Sequence, residues 1–183
     1  MTTKTKEATI EDLYNVPEHG KAEIVNGELV LMSPTGGIPN RAAGQIYLSL
    51  AQYEQRTKRG YALTDNAGFI VDLPNRKSFS PDAAFYKGDV TMKFLEGAPV
   101  FAVEVRSEGD YGPGAEQKMA DKRADYFAAG TLVVWDVDLL DENVLRVYRA
   151  DDPQNPTIYR RGESAEAEPA LPGWTMLVDD LFA

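Results

Sequence analysis

The chain has 183 residues, 43% of them hydrophobic and 26% charged, which is enough to close one hydrophobic core and ordinary for a globular fold. It contains no cysteine, which excludes disulfides, thiolate nucleophiles and cysteine-held zinc and fits a reducing, cytoplasmic setting. The formal net charge of −10 argues against strong autonomous DNA binding, because basic side chains on phosphate supply most of such affinity.

The opening MTTKTKEATIEDLYN lacks the apolar stretch of an export signal, and Leu132 to Trp135 is far too short to cross a bilayer. Thr9 to Val16 predicts a short helix, with Thr9 as its cap and acidic residues in the first turn. In KAEIVNGELVLMS two β-favouring runs flank Asn26-Gly27, the pair suited to the two positive-φ positions of a type I′ hairpin turn. Pro39 to about Lys58 predicts a helix, because Ala42, Ala43, Ile46, Leu50 and Tyr53 recur at helical spacing and Gly60 stands ready to end it.

Tyr61 to Leu73 has β-type content interrupted at Asp65-Asn66 and Gly68, so it reads as one irregular strand or two short ones. A polar loop from Pro74 to Ser80 leads to a short strand, Asp82 to Tyr86, and then to a strong, central one, Pro99 to Ser107. Glu108 to Gly114 reads as a connecting loop and Ala115 to Ala129 as a helix stopped by Gly130. Thr131 to Val137, Val144 to Tyr148 and a segment near Thr157 to Arg160 complete the strands. An acidic linker from Glu163 to Glu168 precedes Pro172-Gly173-Trp174 and a docking segment from Met176 to Phe182. The expectation is one α/β (α+β) domain over residues 1–183, a mixed sheet flanked by helices with an N-terminal helix and hairpin.

The informative residue is Glu104, set in Val100-Phe101-Ala102-Val103-Glu104-Val105, a run apolar on both strand faces. An ionised carboxylate there is costly unless a cation or hydrogen-bond donors compensate it. Taken alone, a salt bridge explains it as well as a site does. Ser80-Pro81-Asp82 adds a second carboxylate where a polar loop becomes a strand. Two carboxylates from neighbouring strands, with positions open to water, suit a hard cation such as Mg²⁺ or Mn²⁺. On the helix AEQKMADKRADYFAAG, Lys118, Lys122 and Tyr126 are spaced to share one face. Such a stripe is ordinarily a solvated surface; over the carboxylates, Lys122 could orient a water or stabilise a charged phosphate.

Pro81-Asp82, Glu104 in its apolar strand and the basic helix resemble the PD-(D/E)XK nuclease signature. More narrowly, AEIVNGELVLMSP, SPDAAF, FAVEVRS, KRADYFAAG, LVVWDVD and LPGWTMLVDDLF resemble, in order and over nearly the whole chain, the Uma-type restriction-endonuclease family of bacteria. The resemblance implies a restriction-endonuclease-like fold, a metal held by Asp82, Glu104 and the carbonyl of Val105, and a supporting carboxylate at Glu23. It also implies a DNA substrate and, by fold analogy, a homodimer. The usual lysine two residues after the glutamate is Arg106 here, on the same strand face as Glu104, where it could meet phosphate but would be a poor proton acceptor. The lysine's role falls to Lys122, with Lys118, Gln117 and Tyr126 as supporting contacts. Asn40 stands where the family pattern has a histidine.

Two functions follow: a metal-dependent endonuclease working through Asp82, Glu104 and Lys122, or a catalytically weak nuclease-fold protein serving as a binding or regulatory partner. Other classes fare worse. His19, in Pro17-Glu18-His19-Gly20, is the only histidine and reads as a surface residue, which disfavours a serine triad or a histidine metal site. No GxxxxGK[ST] loop occurs. A glycosidase could use Asp82 and Glu104, but nothing else suggests a sugar site. Trp135 and Trp174 read as core rather than as base-stacking platforms.

Overall fold

The structure, a computed structural model, describes residues 7–17 and 20–183. In chain order it contains α1 (Ile10–Tyr14), β1 (Ala22–Val25), β2 (Glu28–Leu31), α2 (Gly37–Thr57), β3 (Tyr61–Leu63), β4 (Phe69–Ile70) and β5 (Ser78–Phe79). There follow β6 (Ala83–Tyr86), β7 (Leu95–Glu96), β8 (Phe101–Val105), α3 (Pro113–Ala128) and β9 (Val133–Val137). The chain ends with β10 (Leu145–Arg149), β11 (Asp152–Tyr159), β12 (Ser164–Glu166), β13 (Thr175–Leu177) and a 3₁₀ turn over Val178–Phe182. His19 lies outside the described residues.

The main sheet has six strands in the order β11-β10-β9-β8-β6-β3. Only the β8–β9 pair is parallel; its other neighbours run antiparallel. The parallel step is made by α3, the crossover such a pair requires. Alternation then assigns the two faces. Phe101, Val103 and Val105 of β8, with Val133, Trp135 and Val137 of β9, belong to the core beneath α2 and the C-terminal segment. Ala102 and Val134 look the other way, into the cluster holding Tyr126 of α3. With a helical layer on each side, these strands are apolar on both faces.

Local chemistry explains the elements. Thr9 caps α1 in a reciprocal box with Asp12, closing two otherwise unpaired amides. Asn26 and Gly27 adopt φ of 51° and 77°, the mirror-image turn their sequence favours. The five apolar residues read for α2 are its buried ones.

Several boundaries differ from expectation. Helix α2 begins at Gly37, which places Pro39 within its first turn, where a missing N–H costs nothing. It ends on Lys58 in the left-handed region, φ 57°, two residues before Gly60. Helix α3 starts with Pro113 at its first position, again a site that tolerates proline. The segment Tyr61 to Leu73 follows the second of its two readings, two short strands, and these, β3 and β4, join different sheets.

The larger differences lie near the C-terminus. The acidic linker contains β12, paired with β13, because Ala165 and Ala167 are buried beneath a charged exterior that masks their alternation. Strand β11 runs through Pro153 and Pro156, which is possible because it is an edge strand needing no donor on its outer side. Trp135 and Trp174 do belong to the core, their rings 5.0 Å apart and Phe101 at 5.3 and 5.5 Å. Each indole N–H is satisfied, by the Glu166 carbonyl and the Ser49 hydroxyl, as buried tryptophan requires.

Trp174 anchors the C-terminal segment against the sheet. Trp174→Ala is expected to destabilise the protein by about 3–5 kcal/mol, measured as a fall in the urea midpoint with little change in slope.

Candidate active site

The site lies on the α3 face of the main sheet. The β6–β8 ladder pairs Ala83 with Val103, so one further step sets Asp82 opposite Glu104, and the β8–β9 ladder sets Glu104 opposite Asp136. Residues opposite one another share a face, so three acids form one row across three strands. Asp82 is fixed at the strand's start: its N–H donates to the Val103 carbonyl at 3.0 Å, and its Oδ2 accepts the Val105 N–H at 2.8 Å.

The row is neutralised in two ways. Asp136, 2% exposed, receives Nε and Nη2 of Arg106, both at 2.8 Å, and Arg123 at 3.4 Å. Arg106 also grips Glu116 of α3, and these partners hold its guanidinium firmly charged, hydrogen bonding to Asp136 being the largest cause. Arg106 thus shares the strand face of Glu104, as alternation predicts, but its donors are turned to Asp136 and Glu116.

Asp82 and Glu104 are met instead by ammonium groups. Lys122 Nζ lies 2.8 Å from Glu104 and 3.0 Å from Glu23, tying β8 to the hairpin through α3. Tyr126, one helical turn on, donates its hydroxyl to Glu104 Oε1 at 2.7 Å and stacks on Phe79 with ring centroids 4.1 Å apart. Burial disfavours the charge on Lys122, but Glu104 and Glu23 overcome this and raise its pKa above the ordinary lysine value. Burial and the same two carboxylates hold the Tyr126 phenol well above its usual range. Glu104 itself is lifted to about 7, by burial first, against the pull of Lys122 and with added repulsion from Asp82 and Glu23. Its side chain keeps 25% exposure.

Glu23 is one of the most enclosed acids, 4% exposed. It accepts the Ser80 N–H at 2.7 Å and Arg76 at 2.6 Å. Burial alone would raise its pKa; Lys122 and Arg76 bring it below the usual carboxylate value. Arg76 also bonds Asp125 of α3 at 2.8 Å and lies 4.9 Å above the Phe79 ring. Lys21 donates to Asp82 at 3.0 Å and Asp65 at 2.6 Å.

The structure therefore brings together Glu23, Asp82, Glu104, Lys122 and Tyr126, with the Val105 backbone beside them. It does not bring in Gln117 or Lys118, which are exposed on the first half of α3; the Gln117 amide donates to Asp121. Asn40 is exposed on α2. Sequence reasoning missed Lys21, Asp65, Arg76 and Asp125. Lys21 had a signal, since strand alternation puts it on the face of Glu23; the other three sat in segments that read as solvated loop or helix surface.

Among the described residues, no three acidic or histidine side chains converge on one point; ammonium and guanidinium groups are interleaved with the carboxylates. Even so, among the described residues the cations paired with Glu23, Asp65, Asp82, Glu104 and Asp125 are Lys21, Arg76 and Lys122, five carboxyl groups to three cations. Hard oxygen donors with uncompensated negative charge suit a hard divalent cation. A cleft of about 20 Å³ lined by Glu104, Met119, Lys122, Arg123, Tyr126, Val134 and Asp136 opens beside them, room for one water.

The family model Uma2, described as "putative restriction endonuclease", matches residues 8–179. A crystal structure described as a putative nuclease belonging to DUF820, from Anabaena variabilis ATCC 29413, superposes with a TM-score of 0.74. It shares 18% identity, with 96% of this chain and 97% of that one covered, so the likeness is one of fold. No curated protein matches the chain.

Removing the Arg76 guanidinium would leave Glu23 and Asp125 undercompensated in the interior. Arg76→Met is expected to cost about 3–5 kcal/mol of stability, read from urea unfolding, with Arg76→Lys retaining part of it.

Proposed function

The chain belongs to the Uma2 family of putative restriction endonucleases, and from that premise we propose that it is a divalent-metal-dependent endonuclease hydrolysing phosphodiester bonds, with DNA as its substrate. The observation that carries the reading is the row of Asp82 and Glu104 on adjacent strands with the Lys122 ammonium 2.8 Å from Glu104.

Asp82, Glu104 and the Val105 carbonyl would hold Mg²⁺ or Mn²⁺, which when bound acidifies a water and screens charge on the attacked phosphate and leaving oxygen. The chain's own residues supply the rest. Tyr126 fixes the Glu104 carboxylate by donating to Oε1, and the Val105 amide fixes that of Asp82. Lys122 is held protonated by burial-defying contacts with two carboxylates, so its part is that of a charged donor stabilising a phosphate in its most anionic state, not that of a base. Glu23 holds Lys122 in place from the other side. Arg106, committed to Asp136 and Glu116, fixes the start of α3 relative to β8 and β9, and leaves phosphate contact to Lys122.

Nucleic acid is the partner, bound weakly because the net charge is −10, with cleavage that falls as salt rises. No helix among the described residues is long and apolar enough to cross a membrane. A cytoplasmic location rests on composition, and homodimerisation on analogy with the fold.

A second reading, that of a catalytically weak nuclease-fold binding partner, draws on Arg106. The cation expected two residues after Glu104 is wholly engaged by protein carboxylates. Failure to cut a broad panel of DNA and RNA with Mg²⁺ or Mn²⁺, together with recovery of a tight protein partner, would favour it.

Asp82→Ala and Glu104→Ala are each expected to abolish Mn²⁺ binding in a calorimetric titration and to lower cleavage at least about 100-fold, with circular dichroism unchanged. Lys122→Met is expected to keep metal binding while losing about 100-fold or more in rate. Unaltered metal titration in both carboxylate variants would overturn the reading.

A further inference from the structure

Each oxygen of Asp82 already has a partner, and the two partners differ in kind. Oδ2 accepts a backbone amide, Val105 N–H, fixed by the sheet. Oδ1 accepts Lys21 Nζ at 3.0 Å, and the same ammonium lies 2.6 Å from Asp65 Oδ1. Lys21 stands immediately before β1, where its carbonyl extends the hairpin by accepting the Met32 N–H at 2.9 Å. Its backbone is anchored while its long stem carries the charge to the carboxylates, leaving the side chain 14% exposed.

We infer that Lys21 is a tethered counter-cation of the site, whose ammonium pairs with Asp82 and Asp65 and competes with a divalent cation for them. This rests on the metal-site reading of Asp82 and Glu104. The contrast with Lys122 supports it. Lys122 is carried by α3 and held between two acids, Glu23 and Glu104, with Tyr126 bound to the same Glu104 oxygen. Lys21 makes no such closed arrangement: Asp65 lies in the turn at Asp65-Asn66, and its Oδ1 also accepts the Asn66 N–H at 2.7 Å. A compact ammonium on four rotatable bonds can leave one carboxylate and keep another. A divalent ion at Asp82 would repel it at such short range, and Asp65 offers the ammonium a place to withdraw to. The site would then carry its own internal competitor, setting how much free metal is needed to load it.

The test uses the full chain freed of metal by chelation, with Mn²⁺ titrated calorimetrically and thermal unfolding followed with and without Mn²⁺. Lys21→Met is expected to melt lower than the parent without metal, to bind Mn²⁺ at least about tenfold tighter, and to show a larger Mn²⁺-induced rise in Tm. Lys21→Arg should stay within about twofold of the parent, because it keeps the charge. If the parent binds Mn²⁺ and Lys21→Met binds it equally or more weakly, Lys21 is a structural tie and the inference fails alone. It fails too if Lys21→Arg tightens binding as much as Lys21→Met does. If neither parent nor Lys21→Met binds Mn²⁺, the metal-site reading fails and takes the inference with it. Should Lys21→Met not fold, the same titration of Lys21→Gln decides the matter.

Discussion

The arrangement depends on the need to compensate acids that the sheet has taken out of water. Glu104 lies in a strand covered by helical layers on both sides, and a carboxylate so placed is tolerable only with a cation and donors at hand. Lys122 and Tyr126 meet that need from α3, and Lys122 extends it to Glu23 on the hairpin. One ammonium thereby fixes the relation of three elements far apart in sequence. The site and the packing of α3 are the same set of contacts, which is why Tyr126 is at once buried and bonded to Glu104.

Neighbouring acids in the row receive unlike treatment. Asp136 is gripped by the planar fork of Arg106 at two points, a geometry that satisfies both oxygens. Asp82 and Glu104 each meet one ammonium, shared with a second acid, and one neutral donor, the Val105 N–H and the Tyr126 hydroxyl. The distinction separates Asp136 from Asp82 and Glu104, although all three belong to one row and one face. It also accounts for the departure at Arg106: guanidinium in that position serves the frame, while a lysine supplied by the helix serves the carboxylates.

What could be read in advance follows the range of the forces involved. Spacing identified the buried face of α2 and the apolar strands β8 and β9, and residue type the hairpin turn at Asn26-Gly27, because local sequence dictates each of them. Glu104 stood out because charge interrupts an apolar run there, and Asp82 because it stands where a polar loop becomes a strand. Arg76, Asp65 and Asp125 did not, because each lies in a polar stretch whose composition suits solvent equally well, and only the folded chain brings them inward. Strand β12 was hidden for the opposite reason: small buried alanines alternate with acids, and the acids dominate the composition. Proline misled at β11, where the pattern of a strand interrupted twice made sense only once the strand proved to be outermost.

That outermost strand has a consequence for assembly. An unpaired β-edge ordinarily offers a template on which another chain can add its own backbone, the first step toward uncontrolled polymerisation. Pro153 and Pro156 remove two amide donors from β11 and so deny an incoming strand a continuous ladder. At the sheet's opposite rim β3 is only three residues long. Growth by lateral strand addition is thus discouraged at both borders of the main sheet.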